Sequence, residues 1–164
     1  MTIKIPVEKI REGMKLALEK CNEHLVAAET LISKGSLNDA VALIEFAIEE
    51  FGRAVALKEI LKKSSNKVEE ELFKNHEYKY KKAWSVLPKE LKTIYEGTFD
   101  VTQFSKTDFD VGKETISPRT RLDAVFVDYD VKLEKWKTGV RADGETLKHV
   151  IEGLREGLKA FVDC

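Results

Sequence analysis

Apolar residues recur at helical spacing along residues 37–61, the most apolar stretch of the chain. On a helical wheel of about 100° per residue, one face carries an unbroken core stripe, formed by Leu37, Val41, Ile44, Ile48, Phe51 and Val55. A second apolar stripe lies beside it, formed by Leu43, Ala47, Ala54, Leu57 and Leu61. Glu50 interrupts this second stripe. A helix this apolar should be covered on more than one side, so we expect Glu50 to be partly buried.

The acidic residues of this helix allow two interpretations. A buried carboxylate is unfavourable unless it is paired, so Glu50 is either part of a structural ion pair or part of a functional site. Glu45 and Glu49 lie on the opposite flank, next to Gly52. Such a small residue would let another backbone come close. Arg53 is expected to face away from the main core.

The remaining periodicity predicts a mainly α, antiparallel bundle of about 4–5 helices in a single domain spanning residues 1–164. A first helix is predicted over residues 6–34, and Gly35 with Ser36 predicts a tight helical hairpin. Helical tendency continues over residues 68–87, with Asn75 and His76 as a kink or restart, and again from Pro88 to about residue 95, with Gly97 ending it. A last helix begins near Gly144, capped by Asp143.

The region before the last helix has a different character. Residues 98–119 show no clear period and contain several small polar residues, which predicts a long loop. Residues 123–138 are dense in apolar, β-branched and aromatic side chains, which predicts a short β-hairpin.

Composition narrows the class of protein. The chain has 164 residues, of which 43% are hydrophobic and 35% charged, as in a globular protein rather than a disordered one. The formal net charge of −1 argues neither for nor against binding of nucleic acid, so only local charged patches matter. The two cysteines, Cys21 and Cys164, provide no disulfide framework and no cysteine-based zinc site. We therefore expect a cytoplasmic protein with no signal peptide and no membrane span.

Two further features have competing interpretations. His24 falls on the apolar face of the first helix, where a structural histidine is more common than a ligand. Lysines dominate residues 58–92, and Tyr78 and Tyr80 alternate with Lys79 and Lys81. Aromatic residues among lysines can bind single-stranded nucleic acid, but a solvated helix face gives the same pattern.

Four features stand in order along the chain. Asn22 is followed by Ala47-Ile48-Glu49-Glu50-Phe51-Gly52-Arg53, then by Asn75-His76-Glu77-Tyr78-Lys79, and then by Phe126-Val127-Asp128-Tyr129 with Trp136. The series resembles the AbiV family of prokaryotic abortive-infection proteins, which have HEPN-like helical domains, and the resemblance runs from about residue 20 to residue 136. Arg53 stands where the family usually has Lys, and Phe126 where it usually has Tyr.

The resemblance implies a role in phage defence, acting by binding a protein or RNA partner and blocking translation. The alternative is a divergent HEPN-like ribonuclease, so whether the chain is an enzyme stays open. The usual HEPN motif, Arg followed by His after four to six residues, is not found, since seven residues separate Arg141 from His149.

The residues that could form a site follow from these motifs. Candidate catalytic residues are Glu49, Glu50, His76 and Lys79, in which a carboxylate would orient a histidine base. Other candidates are Asn22, His24, Arg53 and Asp128. We expect three helices to bring them together. No cofactor is expected, and no metal, because the Glu-x-x-His pairs of dimetal bundles are missing. A leftover apolar face would favour a homodimer.

Overall fold

The computed structural model describes residues 1–97, 128–130, 135–137 and 143–163. Two long helices, α1 (Val7–Ser33) and α2 (Leu37–Lys62), form an antiparallel hairpin. Gly35 ends α1 with a φ of 77°, a left-handed conformation that glycine adopts without strain. Its N–H donates to the carbonyl of Ile32 at 3.0 Å, as in a helix C-cap. The predicted first and second helices are confirmed to within one residue at each end.

The second helix lies at the centre of the core. It packs against α1, against α4 (His76–Trp84) and against α6 (Gly144–Asp163). Its buried residues include members of both predicted apolar stripes, but also Glu45, Glu49 and Gly52, which belong to neither. Asp143 caps α6, accepting a hydrogen bond from the backbone N–H of Thr146 at 2.9 Å, as predicted. The fold is therefore a mainly α helical bundle, as the periodicity indicated.

The stretch after α2 differs from the prediction. Residues 68–87 were expected to begin as helix, but Lys67–Glu69 forms a strand, β2, paired antiparallel with β1 (Thr2–Lys4) in the register Ile3 to Val68. Val68 is fully buried in a small second core with Ile10 and Leu57. Its strand conformation is fixed by a partner near the N-terminus, more than 60 residues away in sequence, which local periodicity does not reveal.

The rest of this stretch is helical. A short helix, α3 (Glu71–Lys74), precedes α4, and Asn75 separates them. The Asn75 side chain accepts a hydrogen bond from the N–H of Tyr78 at 3.1 Å, so the predicted restart is an N-cap. A further helix, α5 (Lys89–Gly97), follows as predicted and packs against α6.

The predicted hairpin is confirmed where the structure describes it. Strand β3 (Asp128–Asp130) pairs antiparallel with β4 (Lys135–Lys137), with Tyr129 opposite Trp136. The predicted loop at residues 98–119 lies outside the described residues. None of the helices in the described ranges has the length and apolar character needed to span a membrane.

Candidate functional site

The site begins with a close approach between two backbones. A Cβ on Gly52 would lie 1.8 Å from the carbonyl oxygen of Lys79 and 3.1 Å from the N–H nitrogen of Ala83. Any residue larger than glycine would therefore collide with the backbone of α4. As predicted, the small residue beside Glu49 lets another backbone come close, and that backbone is the one that carries His76 and Lys79.

Glu49 is the acceptor at this contact. The residue is 3% exposed, and its Oε2 accepts from His76 Nδ1 at 2.7 Å and from Lys79 Nζ at 3.2 Å. Burial alone would raise the pKa of Glu49, but the hydrogen bond with His76 and the charge and hydrogen bond of Lys79 lower it below its usual value overall. Glu49 is thus an ionised carboxylate held inside the protein by two partners from one helix.

The two partners differ in exposure. They stand three residues apart on α4, a spacing that places them on the same face of the helix. The side chain of His76 is 47% exposed, whereas that of Lys79 is 2% exposed. Because Nδ1 of His76 donates to Glu49, Nε2 is the ring nitrogen that can meet solvent or a ligand. Lys79, in contrast, is enclosed with its carboxylate.

Further polar groups lie deeper in the core. Glu45 is fully buried, one turn before Glu49, and its Oε1 accepts from the hydroxyl of Tyr95 at 3.1 Å. Burial strongly raises the pKa of Tyr80 and Tyr95, so both phenols stay protonated. Sequence reasoning did not place these tyrosines in the cluster. The available signal was the pair Glu45 and Glu49 at a spacing of four residues on an apolar helix, which required buried donors from elsewhere.

Glu50 and Arg53 face a different part of the molecule. Glu50 is partly buried, as predicted, with a side chain 16% exposed, and its Oε2 lies 3.0 Å from Arg53 Nη1. Both side chains line a groove of about 360 Å³ between α2 and the first half of α1. They therefore do not join the contact that Glu49 makes with α4. Glu49 is more deeply buried than Glu50, which the sequence did not predict.

The predicted site residues of α1, His24 and Asn22, do not join the contact between α2 and α4. His24 is half-buried rather than enclosed in the core, and its ring stacks on Phe46 with 5.5 Å between centroids. Burial lowers the pKa of His24 despite the nearby charge of Glu50. Asn22 is exposed. The predicted convergence of three helices is thus wrong in detail, because α1 residues meet the Glu50 side of α2 and α4 residues meet the Glu49 side.

Two further predictions concern Asp128 and a metal site. Asp128 begins β3, and its side chain lies outside the described part of the chain. Within the described ranges, no three His, Cys, Asp or Glu side chains are grouped so that they could hold a metal ion. The arrangement that the structure does describe is a buried carboxylate bound to a buried ammonium group and to an exposed imidazole.

Comparison with known proteins gives one match. The sequence model of a HEPN family described as AbiV matches residues 9–148, a range that includes Glu49, Gly52, His76 and Lys79. Neither the curated proteins nor the solved structures gave a match. Because the matched range covers most of the chain and the contact between α2 and α4, the chain belongs to the AbiV family of HEPN domains.

Proposed function

We propose that this protein acts in abortive infection, stopping the growth of a phage-infected prokaryotic cell by binding a protein partner and blocking translation. Membership of the AbiV family supports the defence role. The main support for binding, rather than RNA cleavage, is the burial of Lys79. This residue is 2% exposed and is paired with Glu49 inside the contact between α2 and α4. In this proposal the Glu49–His76–Lys79 cluster fixes α4 in place.

The positions of the cations favour binding over RNA cleavage. In a ribonuclease, cations such as Lys79 and Arg53 would hold the phosphate. Lys79 is enclosed, and Arg53 lies in the groove beside α1, paired with Glu50. Lys79 lies near His76, since both bind Oε2 of Glu49, but its enclosed ammonium group offers no accessible positive charge to a reacting phosphate, and Arg53 faces another part of the molecule.

The lysine-rich stretch also fits a protein partner better than single-stranded RNA. Tyr80 is 1% exposed, so it offers no face on which a base could stack. Lys82 pairs with Glu59, and Lys81 pairs with Glu77 at 2.9 Å. Much of the positive charge of this stretch is therefore balanced by nearby carboxylates, as on an ordinary solvated helix face.

A ribonuclease remains the second candidate, and one observation favours it. The half-exposed His76 has its Nδ1 bound to an ionised, buried carboxylate, which is how a general base is commonly oriented. In such an enzyme Nε2 of His76 would take the proton of a ribose 2′-hydroxyl.

One set of variants separates the two functions. Prokaryotic cells producing the wild type, His76→Ala or the exposed control His149→Ala would be challenged with phage. Plaque formation, incorporation of labelled amino acids and the integrity of cellular RNA would be followed. We expect protein synthesis to stop while RNA stays intact, with His76→Ala protecting as well as the control. RNA cleavage by the purified wild type that is lost in His76→Ala but kept in His149→Ala would establish the ribonuclease instead.

We also propose that the protein is a cytoplasmic homodimer. Exposed apolar side chains at the surface support self-association, since a second copy would shield them from water. Examples are Val86, which is 50% exposed, and Val162 near the end of α6, which is 64% exposed.

A further inference from the structure

A second groove, of about 590 Å³, lies between α6, the end of α2 and the connection from α4 to α5. We call it the α6 groove. Its walls are mostly apolar, and the side chains that line it include Val55, Val86 and Phe161. Val86 is 50% exposed, and Pro88 and Ala160, which also line the groove, are exposed as well. Apolar side chains left exposed around a formed groove are typical of a protein interaction surface.

Two glycines of α6 fix the shape of this groove. A Cβ at Gly153 would lie 2.6 Å from a methyl carbon of Leu91, and a Cβ at Gly157 would lie 2.5 Å from a methyl carbon of Leu87. Both leucines are buried, so α6 is in direct contact with α5 and with the connection that precedes it. Because close-packed side chains do not rearrange freely, the groove is a preformed surface and not one that a partner must open.

Four charged residues line the α6 groove, and only two of them are paired within the described part of the chain. Lys58 donates to a backbone carbonyl in the last turn of α6, and Glu59 accepts from Lys82. Lys62 and Glu156 are exposed, and neither has an ion-pair partner among the described residues. The free charges are therefore one cation on the α2 wall and one anion on the α6 wall of the same groove.

We propose that the α6 groove is the contact surface of the homodimer, where it meets the same groove of a second copy. In a twofold dimer every contact occurs twice, so the surface must be complementary to itself. One free cation and one free anion meet this condition, because Lys62 of each copy would pair with Glu156 of the other. The exposed apolar side chains, Val86 among them, would be shielded from water between the two ion pairs. This inference rests on the proposed homodimer and names its surface and contacts.

The charge balance favours a second copy over other occupants. Binding of a nucleic acid depends on neutralising many phosphates, whereas the free charges of this groove sum to zero. A purely acidic or purely basic segment of another protein would pair with one of Lys62 and Glu156 and be repelled by the other. Exposed ion pairs add little affinity, so the apolar contact would supply most of the free energy of association, and the two ion pairs would set the orientation of the copies.

The test is an exchange of charge between copies. Lys62→Glu leaves only acidic residues at the proposed ion pairs, and Glu156→Lys leaves only basic ones, so like charges would meet twice in either dimer. We expect the dimer dissociation constant of each variant, measured by light scattering over a dilution series, to rise at least about a hundredfold above that of the wild type. Mixing the two variants restores both pairs of opposite charge, so the mixture should form dimers with about the affinity of the wild type. This recovery would also show that both variants are folded.

Two further variants control the result. Lys63→Glu makes the same change of charge one residue later, outside the groove, and should dimerise like the wild type. Val86→Ser removes an exposed apolar contact without changing charge. It should raise the dissociation constant about tenfold and leave the melting temperature of the monomer unchanged, because the side chain is half exposed in the single chain.

Three results would overturn the proposal. They are a wild type that is monomeric at micromolar concentration, a Lys62→Glu or Glu156→Lys protein that dimerises like the wild type, and a mixture of the two variants that stays monomeric. A Lys62→Glu protein that remains dimeric but no longer protects against phage would assign the groove to a different protein. Only the first result also removes the proposed homodimer. Phage protection with arrested protein synthesis and intact RNA would still support the proposed defence function in every case, so the failures are distinguishable.

Discussion

Glu49 and Glu50 are neighbours in the chain but have different environments, because successive side chains of a helix point about 100° apart. Glu49 faces α4, where it is enclosed with Lys79 and bonded to His76. Glu50 faces the groove beside α1, where it pairs with Arg53 and stays partly exposed. The first carboxylate is therefore enclosed within the bundle, and the second stays partly exposed at the groove.

The environment of Glu49 predicts how the free energy of unfolding depends on pH. Folding lowers the pKa of Glu49 below its usual 4.5, so its stabilising contribution is present above that pH and is lost as the pH falls through the lower folded value. Glu49→Gln should reduce the free energy of unfolding at pH 7 by about 3 kcal/mol, because Lys79 stays buried without a charged partner. The difference from the wild type should shrink below pH 4.5.

Urea unfolding of both proteins across this pH range measures the effect. Glu12→Gln, which removes the exposed partner of Lys9, should leave stability essentially unchanged. A Glu49→Gln protein as stable as the wild type at pH 7 would contradict a stabilising role for the cluster.

At the scale of the helices, the contact between α2 and α4 depends on the absence of a side chain at Gly52. Helix α4 has nine residues, too few for an isolated helix to be stable, so its packing on α2 must hold it. That packing requires Gly52, because the carbonyl of Lys79 occupies the space of a side chain. The N-cap Asn75 sets where the helix begins and so which residues reach Glu49.

Alanine substitutions at two glycines test this contact. Gly52→Ala should lower the free energy of unfolding by about 3 kcal/mol or more, because the new Cβ meets backbone that cannot rotate away. In Gly13→Ala the Cβ would lie 3.5 Å from a Leu57 methyl carbon, an ordinary contact, so the better helix propensity of alanine should stabilise the protein by up to about 1 kcal/mol. Melting temperatures of the two variants should move in opposite directions.

The whole molecule is arranged around α2, with α1 against one side and α4 and α6 against others. The main core includes residues of α1, α2, α4, α5 and α6. A smaller core includes residues of β2 and α3, together with the start of α1 and the end of α2. The two faces of α2 therefore have separate roles, one holding the bundle together and one forming the groove.

The proposed homodimer is a prediction about the whole molecule. Size-exclusion chromatography with light scattering should give a mass twice that of the 18.7 kDa chain. Val162→Glu, which places a charge at an exposed apolar position of α6, would test whether this end of the helix takes part. A monomer of the wild type at micromolar concentration would remove the dimer from the proposal.

The sequence by itself determined most of the helical elements and several of their ends. Helical periodicity gave α1, α2, α5 and α6, and Gly35, Asn75 and Asp143 marked boundaries, because capping and helix spacing depend on neighbours within a few residues. It also indicated that Glu50 would be partly buried and that Gly52 would let a second backbone come close. The family followed from motifs that the sequence carries in order.

The tertiary structure decided which side chains meet. Sequence reasoning placed Glu49, Glu50, His24 and His76 in one site. The packing of α1 and α4 on different faces of α2 brings Glu49 and His76 together but leaves Glu50 and His24 outside their contact. It also turned Lys67–Glu69 into a strand, because its partner is the first strand of the chain. Such outcomes depend on contacts between residues far apart in sequence, and these contacts are set by how whole elements pack and not by the periodicity of any one of them.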